Sequence, residues 1–223
     1  KQNYGQGKKY DVEFVSANPT GDLHLGHAWQ AALGDCICNL LEAVGYDVTR
    51  EYYVNDAGVQ ILKLSQSIYA RYQQALGLDV EFPSDGYHGR DIIAFANELK
   101  EQYKDTLLDK PLTYFREIGI EHELNKIRKD LDYFRVKFDV YSHEVMLYEK
   151  GWVDEVIPTL DEKGYIYEQE GAVWFRTTDF EDDKDRVVIK SDGSYTYLTP
   201  DIPYFLYSSR TQSPIRTGQY PWE

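Results

Sequence analysis

The sequence predicts an α/β fold organised around a parallel β-α-β unit, and three stretches carry that prediction. Residues 10–15 form an apolar run rich in the β-branched and aromatic side chains that favour strands. Residues 28–44 set Ala31, Ala32, Ile37, Leu40, Leu41 and Val44 at helical spacing, and residues 46–54 supply a second strand. Between the first strand and the helix lies Ser16-Ala-Asn-Pro-Thr-Gly-Asp-Leu-His-Leu-Gly-His27, whose Pro19, Gly21 and Gly26 belong in a turn. That loop falls at the carboxyl end of the first strand, where open α/β sheets bind their ligands.

The chemistry of the loop follows from its residue types. A helix opening near His27 presents unpaired N–H groups and partial positive charge, which suit phosphate oxygens. Gly26 has no Cβ, so a flat group such as an adenine ring can approach the backbone. His24 and His27, three apart, can both aim donors at a phosphoryl group on which charge grows during displacement. A capped loop with two partly exposed histidines is the alternative, and the strand-loop-helix setting weighs against it.

Beyond Gly58 the pattern turns helical. Residues 59–76 and 91–103 read as amphipathic helices separated by a loop that Pro83, Gly86 and Gly89 interrupt. Residues 112–138 read as a helix pair, with Leu124, Ile127, Leu131 and Phe134 spaced for burial and Lys126, Arg128, Lys129 and Asp130 forming a solvated face. A helix over 152–163 and a hairpin over 166–176, turning at Gln169-Glu170-Gly171, follow. Residues 186–190 form a strand, Ser191-Asp-Gly-Ser194 a tight turn, and 195–198 its partner strand. Tyr197 and Asp201 stand four apart and share a face if Thr199 begins a helix. His88, His122 and His143 fall in loops or at helix ends and receive no catalytic role.

Bulk properties narrow the class. A hydrophobic content of 42% over 223 residues describes a folded chain with a real core. The formal net charge of -14 opposes strong nucleic-acid binding by this segment alone, because phosphate contacts come from Lys and Arg clusters. Cys36 and Cys38, two apart on a helix, read as buried thiols, not as a disulfide or metal pair. With no run of spanning length and no signal segment, a soluble cytoplasmic protein without membrane contact is expected.

His24-Leu-Gly-His27 resembles the first signature of class I aminoacyl-tRNA synthetases. The flanking words Val12-Glu-Phe-Val-Ser-Ala-Asn-Pro-Thr-Gly21 and Tyr52-Tyr-Val-Asn-Asp-Ala-Gly58 narrow the resemblance to the bacterial arginyl-tRNA synthetase family. Lys137-Phe-Asp139, Gly171-Ala-Val-Trp-Phe-Arg176, Asp182-Asp-Lys-Asp-Arg186 and Ser191-Asp-Gly-Ser-Tyr-Thr-Tyr-Leu-Thr-Pro-Asp201 extend it in order along the chain. The resemblance implies the first half of a Rossmann-like (HUP-type) nucleotide-binding fold over 1–60, and a helical insertion with a hairpin over 61–185. A return to the catalytic domain over 186–205 and a divergent tail over 206–223 complete the expected layout.

Position by position, the resemblance gives His24, Gly26 and His27 to ATP, with His24 and His27 catalytic. Glu13, Ser16, Asn18, Tyr197 and Asp201 are given to L-arginine, and Asn55, Asp56 and Gly58 to the loop after the second strand. Mg²⁺ accompanies ATP, no metal ligands are assigned, and the full-length protein charges tRNA(Arg), as a monomer. Trp29 stands where the family usually has arginine, and Pro203-Tyr204-Phe205 stands where it commonly has Ala-Tyr-His. The Lys-Met-Ser-Lys loop and the anticodon-binding domain are not in this sequence, so the isolated chain is expected to be inactive. A non-catalytic relative that binds arginine or a nucleotide, and a nucleotidyltransferase using the same histidine loop, are the alternatives.

Overall fold

The computed structural model describes residues 3–210, and most of the expected divergent tail lies outside them. Strands β1 (Lys9–Glu13), β2 (Asp47–Val54) and β3 (Val140–His143) form a parallel sheet in that order. Glu13 lies opposite Glu51 across the first pair, and Glu51 opposite Val140 across the second. Parallel neighbours need a long crossover. Helix α1 (Leu25–Ala43) supplies the first, and α2 (Val59–Ala75), α3 (Arg90–Tyr103) and α4 (Leu112–Tyr133) lie within the second.

The chain divides into two units. One comprises Ala17–Ala28 and Asn55–Val136; the other comprises Trp29–Val54 with the described parts of Lys1–Ser16 and Lys137–Glu223. The stretch expected as one insertion over 61–185 is therefore shared between them. The helical unit is built around Leu64, Ile68, Tyr72, Phe95, Leu99 and Phe115. Gly119 lets α4 approach α2 closely, since a Cβ there would meet Ile68 Cδ1 at 2.5 Å. The helix pair expected over 112–138 is instead a single 22-residue α4 followed by β3. His122 consequently sits inside a helix, not at its end, and stacks on Phe95 with ring centroids 3.8 Å apart.

In the sheet-bearing unit, the buried face of α1 differs from the expected one. Ala31, Gly34 and Cys38 are buried, whereas Ala32, Ile37 and Leu40 are exposed. The reason is distance: a Cβ at Gly34 would lie 2.2 Å from the Phe14 ring, so only small residues fit that stripe. Cys36 is exposed, contrary to the expectation of two buried thiols, and both cysteines are free. Gly34→Ala tests the packing. Helix propensity favours alanine by about 1 kcal/mol, but overpacking costs about 1–3 kcal/mol. The expected result is net destabilisation in urea unfolding, and a more stable variant would contradict the close approach.

Helices α5 (Val145–Glu149) and α6 (Trp152–Glu162) precede an antiparallel sheet of β4 (Ile166–Gln169), β5 (Ala172–Phe175) and β6 (Arg186–Ile189). The expected hairpin turns at Glu170 and Gly171, both at positive φ (54° and 75°), as a two-residue primed turn requires. The strand expected over 195–198 is reduced to one bridge, Tyr195 to Ile189, because helix α7 (Leu198–Arg210) already begins at Leu198. Ile202 anchors α7 to a core with Val156, Leu160, Phe175 and Val188.

Candidate active site

At the end of β1 the backbone adopts an unusual conformation. Val15 and Ser16 have φ of 65° and 41°, and the Ser16 N–H donates to the Phe14 carbonyl at 2.9 Å, closing a three-residue turn. A β-branched residue at positive φ is a true outlier, and such strain costs about 1–3 kcal/mol and gathers at functional sites. Here the turn directs the Ser16 hydroxyl, which donates to Glu13 Oε1 at 2.9 Å and accepts the Tyr53 N–H at 3.0 Å. From α7, the Tyr204 hydroxyl donates to Glu13 Oε2 at 3.3 Å. Both carboxylate oxygens of Glu13 are thereby fixed.

Asp201 lies one turn before Tyr204 on α7, half-buried. Burial raises its pKa above the ordinary aspartate value, and the neighbouring Glu13 carboxylate raises it further. Tyr53 packs edge-on against Tyr204, with centroids 4.6 Å apart at 64°. Burial pushes the Tyr53 phenol far above its usual range, with Glu144 and Asp201 adding to the effect. Tyr148 is pushed up to about 12 by burial and then by Glu144, with Asp201 contributing. Three carboxylates, Glu13, Glu144 and Asp201, thus act on one tyrosine-rich site. Glu144 is only 8% exposed and was not singled out in the sequence, where a lone Glu after His143 carries no local signal. Tyr197, expected over this site, is 81% exposed in the turn before α7.

The histidine loop belongs to the helical unit. The rings of His24 and His27 stack at 3.7 Å and 20°. The Gly26 N–H donates to His24 Nδ1 at 3.1 Å, and the His24 N–H donates to His27 Nδ1 at 3.2 Å. With each Nδ1 occupied as an acceptor, the hydrogen-bond pattern assigns the protons to Nε2. Burial, and next the adjacent His24, lower the His27 pKa and favour its neutral form. The pair therefore offers two Nε2–H donors from backbone-locked imidazoles. Among the described residues no group of three or more His, Cys, Asp or Glu side chains is arranged to hold a metal.

The remaining expected residues also fall in the helical unit. Asn18 Nδ2 donates to Gln60 Oε1 on α2 at 3.2 Å. Asp56 is buried, and its carbonyl accepts Arg116 Nη2 at 3.1 Å. Gly58 precedes α2 with φ of 87°, a conformation that disfavours any side chain. Asp56 and Gly58 thus have evident structural tasks, and Asn55 is half-buried in the same turn. Trp29 is 74% exposed on α1. Trp29→Arg is expected to change stability by no more than about 0.5 kcal/mol in thermal unfolding, as for exposed sites generally; a larger loss would mean that the indole is packed.

A parallel sheet entered through a strand-loop-helix with paired histidines is the arrangement of the class I aminoacyl-tRNA synthetase catalytic domain. Residues 1–213 match the family described as "tRNA synthetases class I (R), catalytic domain", and the chain belongs to that family. It is 58% identical over 208 residues to the arginine–tRNA ligase of Geobacillus kaustophilus, and 56% identical over 206 residues to that of Bacillus subtilis. These alignments cover 92% and 91% of this chain but 37% of each relative, so the chain spans a little over a third of their length. A solved structure from Campylobacter jejuni superimposes with a TM-score of 0.79 at 35% identity, covering 95% of this chain and 48% of that one. Thermus thermophilus arginyl-tRNA synthetase shares the fold, with a TM-score of 0.58 at 18% identity, covering 100% of this chain and 40% of that one.

No described helix is long and apolar enough to cross a membrane.

Proposed function

We propose that this chain is the arginine- and ATP-binding part of an arginine–tRNA ligase that works in the cytoplasm. The observation that carries the reading is the placement of Asp201, half-buried on α7 beside the Glu13 carboxylate that Ser16 and Tyr204 hold, where burial and then Glu13 both oppose its charge and a cation would offset that repulsion. A guanidinium is a planar cation with a fork of donors, and a carboxylate reads it through paired hydrogen bonds. In this assignment Asp201 and Glu144 receive the guanidinium, and Tyr197 closes over it. Glu13, Ser16 and Asn18 receive the ammonium and carboxylate end. His24, Gly26 and His27 receive ATP, with Asn55, Asp56 and Gly58 shaping the turn after β2. Residues 61–185 are assigned as the insertion, helical through α4 and then carrying the β4–β5 hairpin.

The reaction assigned to the whole protein begins with an arginine carboxylate oxygen attacking the α-phosphorus of ATP. A P–O bond forms to give arginyl-adenylate, and the bond to pyrophosphate breaks. A terminal ribose hydroxyl of tRNA(Arg) then takes the arginyl group and AMP leaves. Negative charge grows on the phosphoryl oxygens in the first step, and the two Nε2–H donors stabilise it; positioning supplies the rest. Mg²⁺ arrives with the triphosphate.

Calorimetric titration tests the reading. L-Arginine binds and citrulline, its neutral isostere, binds at least about tenfold more weakly, since a charge-assisted hydrogen bond contributes about 1.5–3 kcal/mol. Equal binding of the two would overturn the assignment.

A further inference from the structure

The expected solvated face of α4 holds a residue that is only partly exposed. Lys126 is 27% exposed at its side chain, and its Nζ meets three carboxylates: Asp22 Oδ1 at 2.8 Å, Glu123 Oε2 at 3.0 Å and Asp91 Oδ2 at 3.2 Å. Glu123 and Asp91 come from α4 and α3, whereas Asp22 comes from the loop two residues before His24. Glu123 is 1% exposed, and its Oε1 has no hydrogen-bond partner among the described residues. Burial acts to lower the Lys126 pKa, but the hydrogen bonds it donates to Asp22, Glu123 and Asp91 outweigh that and raise it overall. The ammonium is therefore a fixed charge joining loop to helices.

We propose that Lys126 is a positioning residue for the histidine loop, acting through Asp22. Another side-chain tie from the loop to the helices, Asn18 to Gln60, lies at its far end. Gly21 and Gly26 leave the segment between them intrinsically free, and a Cβ at Gly21 would meet nothing within 4 Å. The Asp22–Lys126 pair grips the loop two residues from His24. Its two ends lie on segments more than 100 residues apart in sequence, so the pair orders a loop that local interactions leave loose. The functional meaning of that order rests on the reading of His24 and His27 as phosphoryl donors.

The test uses the 223-residue chain with ¹³C-labelled histidines, whose five imidazoles give assignable Cε1–H signals. Asp22→Asn and Lys126→Gln each shift the His24 and His27 signals and leave those of His88 and His143 in place. Lys126→Arg, which keeps the charge, retains the wild-type positions. Unchanged His24 and His27 signals in Asp22→Asn would overturn the proposal. That variant also covers the case in which Lys126→Gln fails to fold, because the Asp22 side chain is 73% exposed and its replacement leaves the buried Glu123 paired. In a separate titration, Asp22→Asn weakens ATP about threefold to fivefold, the scale of a partly exposed ion pair, and leaves arginine affinity unchanged. If the wild-type chain binds no ATP, the functional reading fails, while the histidine signals still decide the tether.

Discussion

Asp201→Asn is expected to weaken L-arginine binding about 100-fold without lowering the melting temperature. A guanidinium paired with a carboxylate makes charge-assisted hydrogen bonds, each contributing about 1.5–3 kcal/mol, and the amide keeps the shape but turns one acceptor into a donor. Loss of fold does not account for such a result. The Asp201 carboxyl is raised by burial and by Glu13, so neutralising it relieves a repulsion inside the folded chain. Stability is therefore expected to hold or rise while binding collapses, and calorimetry with thermal unfolding on one sample checks both. A variant that loses both in parallel would make Asp201 a structural residue.

The same shift gives a pH dependence with a definite sign. A carboxyl whose folded pKa is raised binds more protons when folded than unfolded. The folded chain accordingly loses stability as pH rises from the ordinary value of 3.8 through the raised one. Arginine binds the ionised form and offsets the repulsion, so its affinity climbs across that interval and levels off above it. Glu13→Gln removes one of the two causes, so the climb levels off at lower pH.

The β-α-β unit and its loop were legible because periodicity and turn residues agree there: strand, Pro and Gly turn, and helix each carry their own signal. The loop's histidines were legible for the same reason. What escaped was set by partners distant in sequence. Val140-Tyr-Ser-His143 has neither alternation nor an apolar run, and it is a strand because β2 offers it a ladder. The apolar residues of α1 pointed to Ile37 and Leu40 as core, yet the buried ones are Ala31, Gly34 and Cys38, and Gly34 comes too close to Phe14 for a side chain to fit there. Lys126 read as solvated because no local pattern shows that Asp22 and Asp91 converge on it. Glu144 was missed for the same reason, since its meaning lies in Tyr53, Tyr148 and Asp201.

Phe115→Ala carries the largest expected effect on stability. The ring is fully buried and packs against Tyr69 and Tyr72, with centroids 4.6 and 5.9 Å away. Truncating a buried phenylalanine costs about 3–5 kcal/mol, part transfer and part cavity. Neighbouring aromatic rings are rigid and collapse poorly into a void, which places the cost at the upper end. Domains are stable by about 5–15 kcal/mol, so the loss is a large share of what holds the helices together. Lys126 rides on the same helix about three turns further on, so a loosened α4 also releases Asp22. Hydrogen exchange should then report lost protection in α2 and α4 together with the histidine loop, whereas Asp22→Asn alters the loop alone. If Phe115→Ala instead costs less than about 1 kcal/mol, the aromatic cluster is not what fixes α4 against α2, and loop order must depend on the ion pair without support from that core.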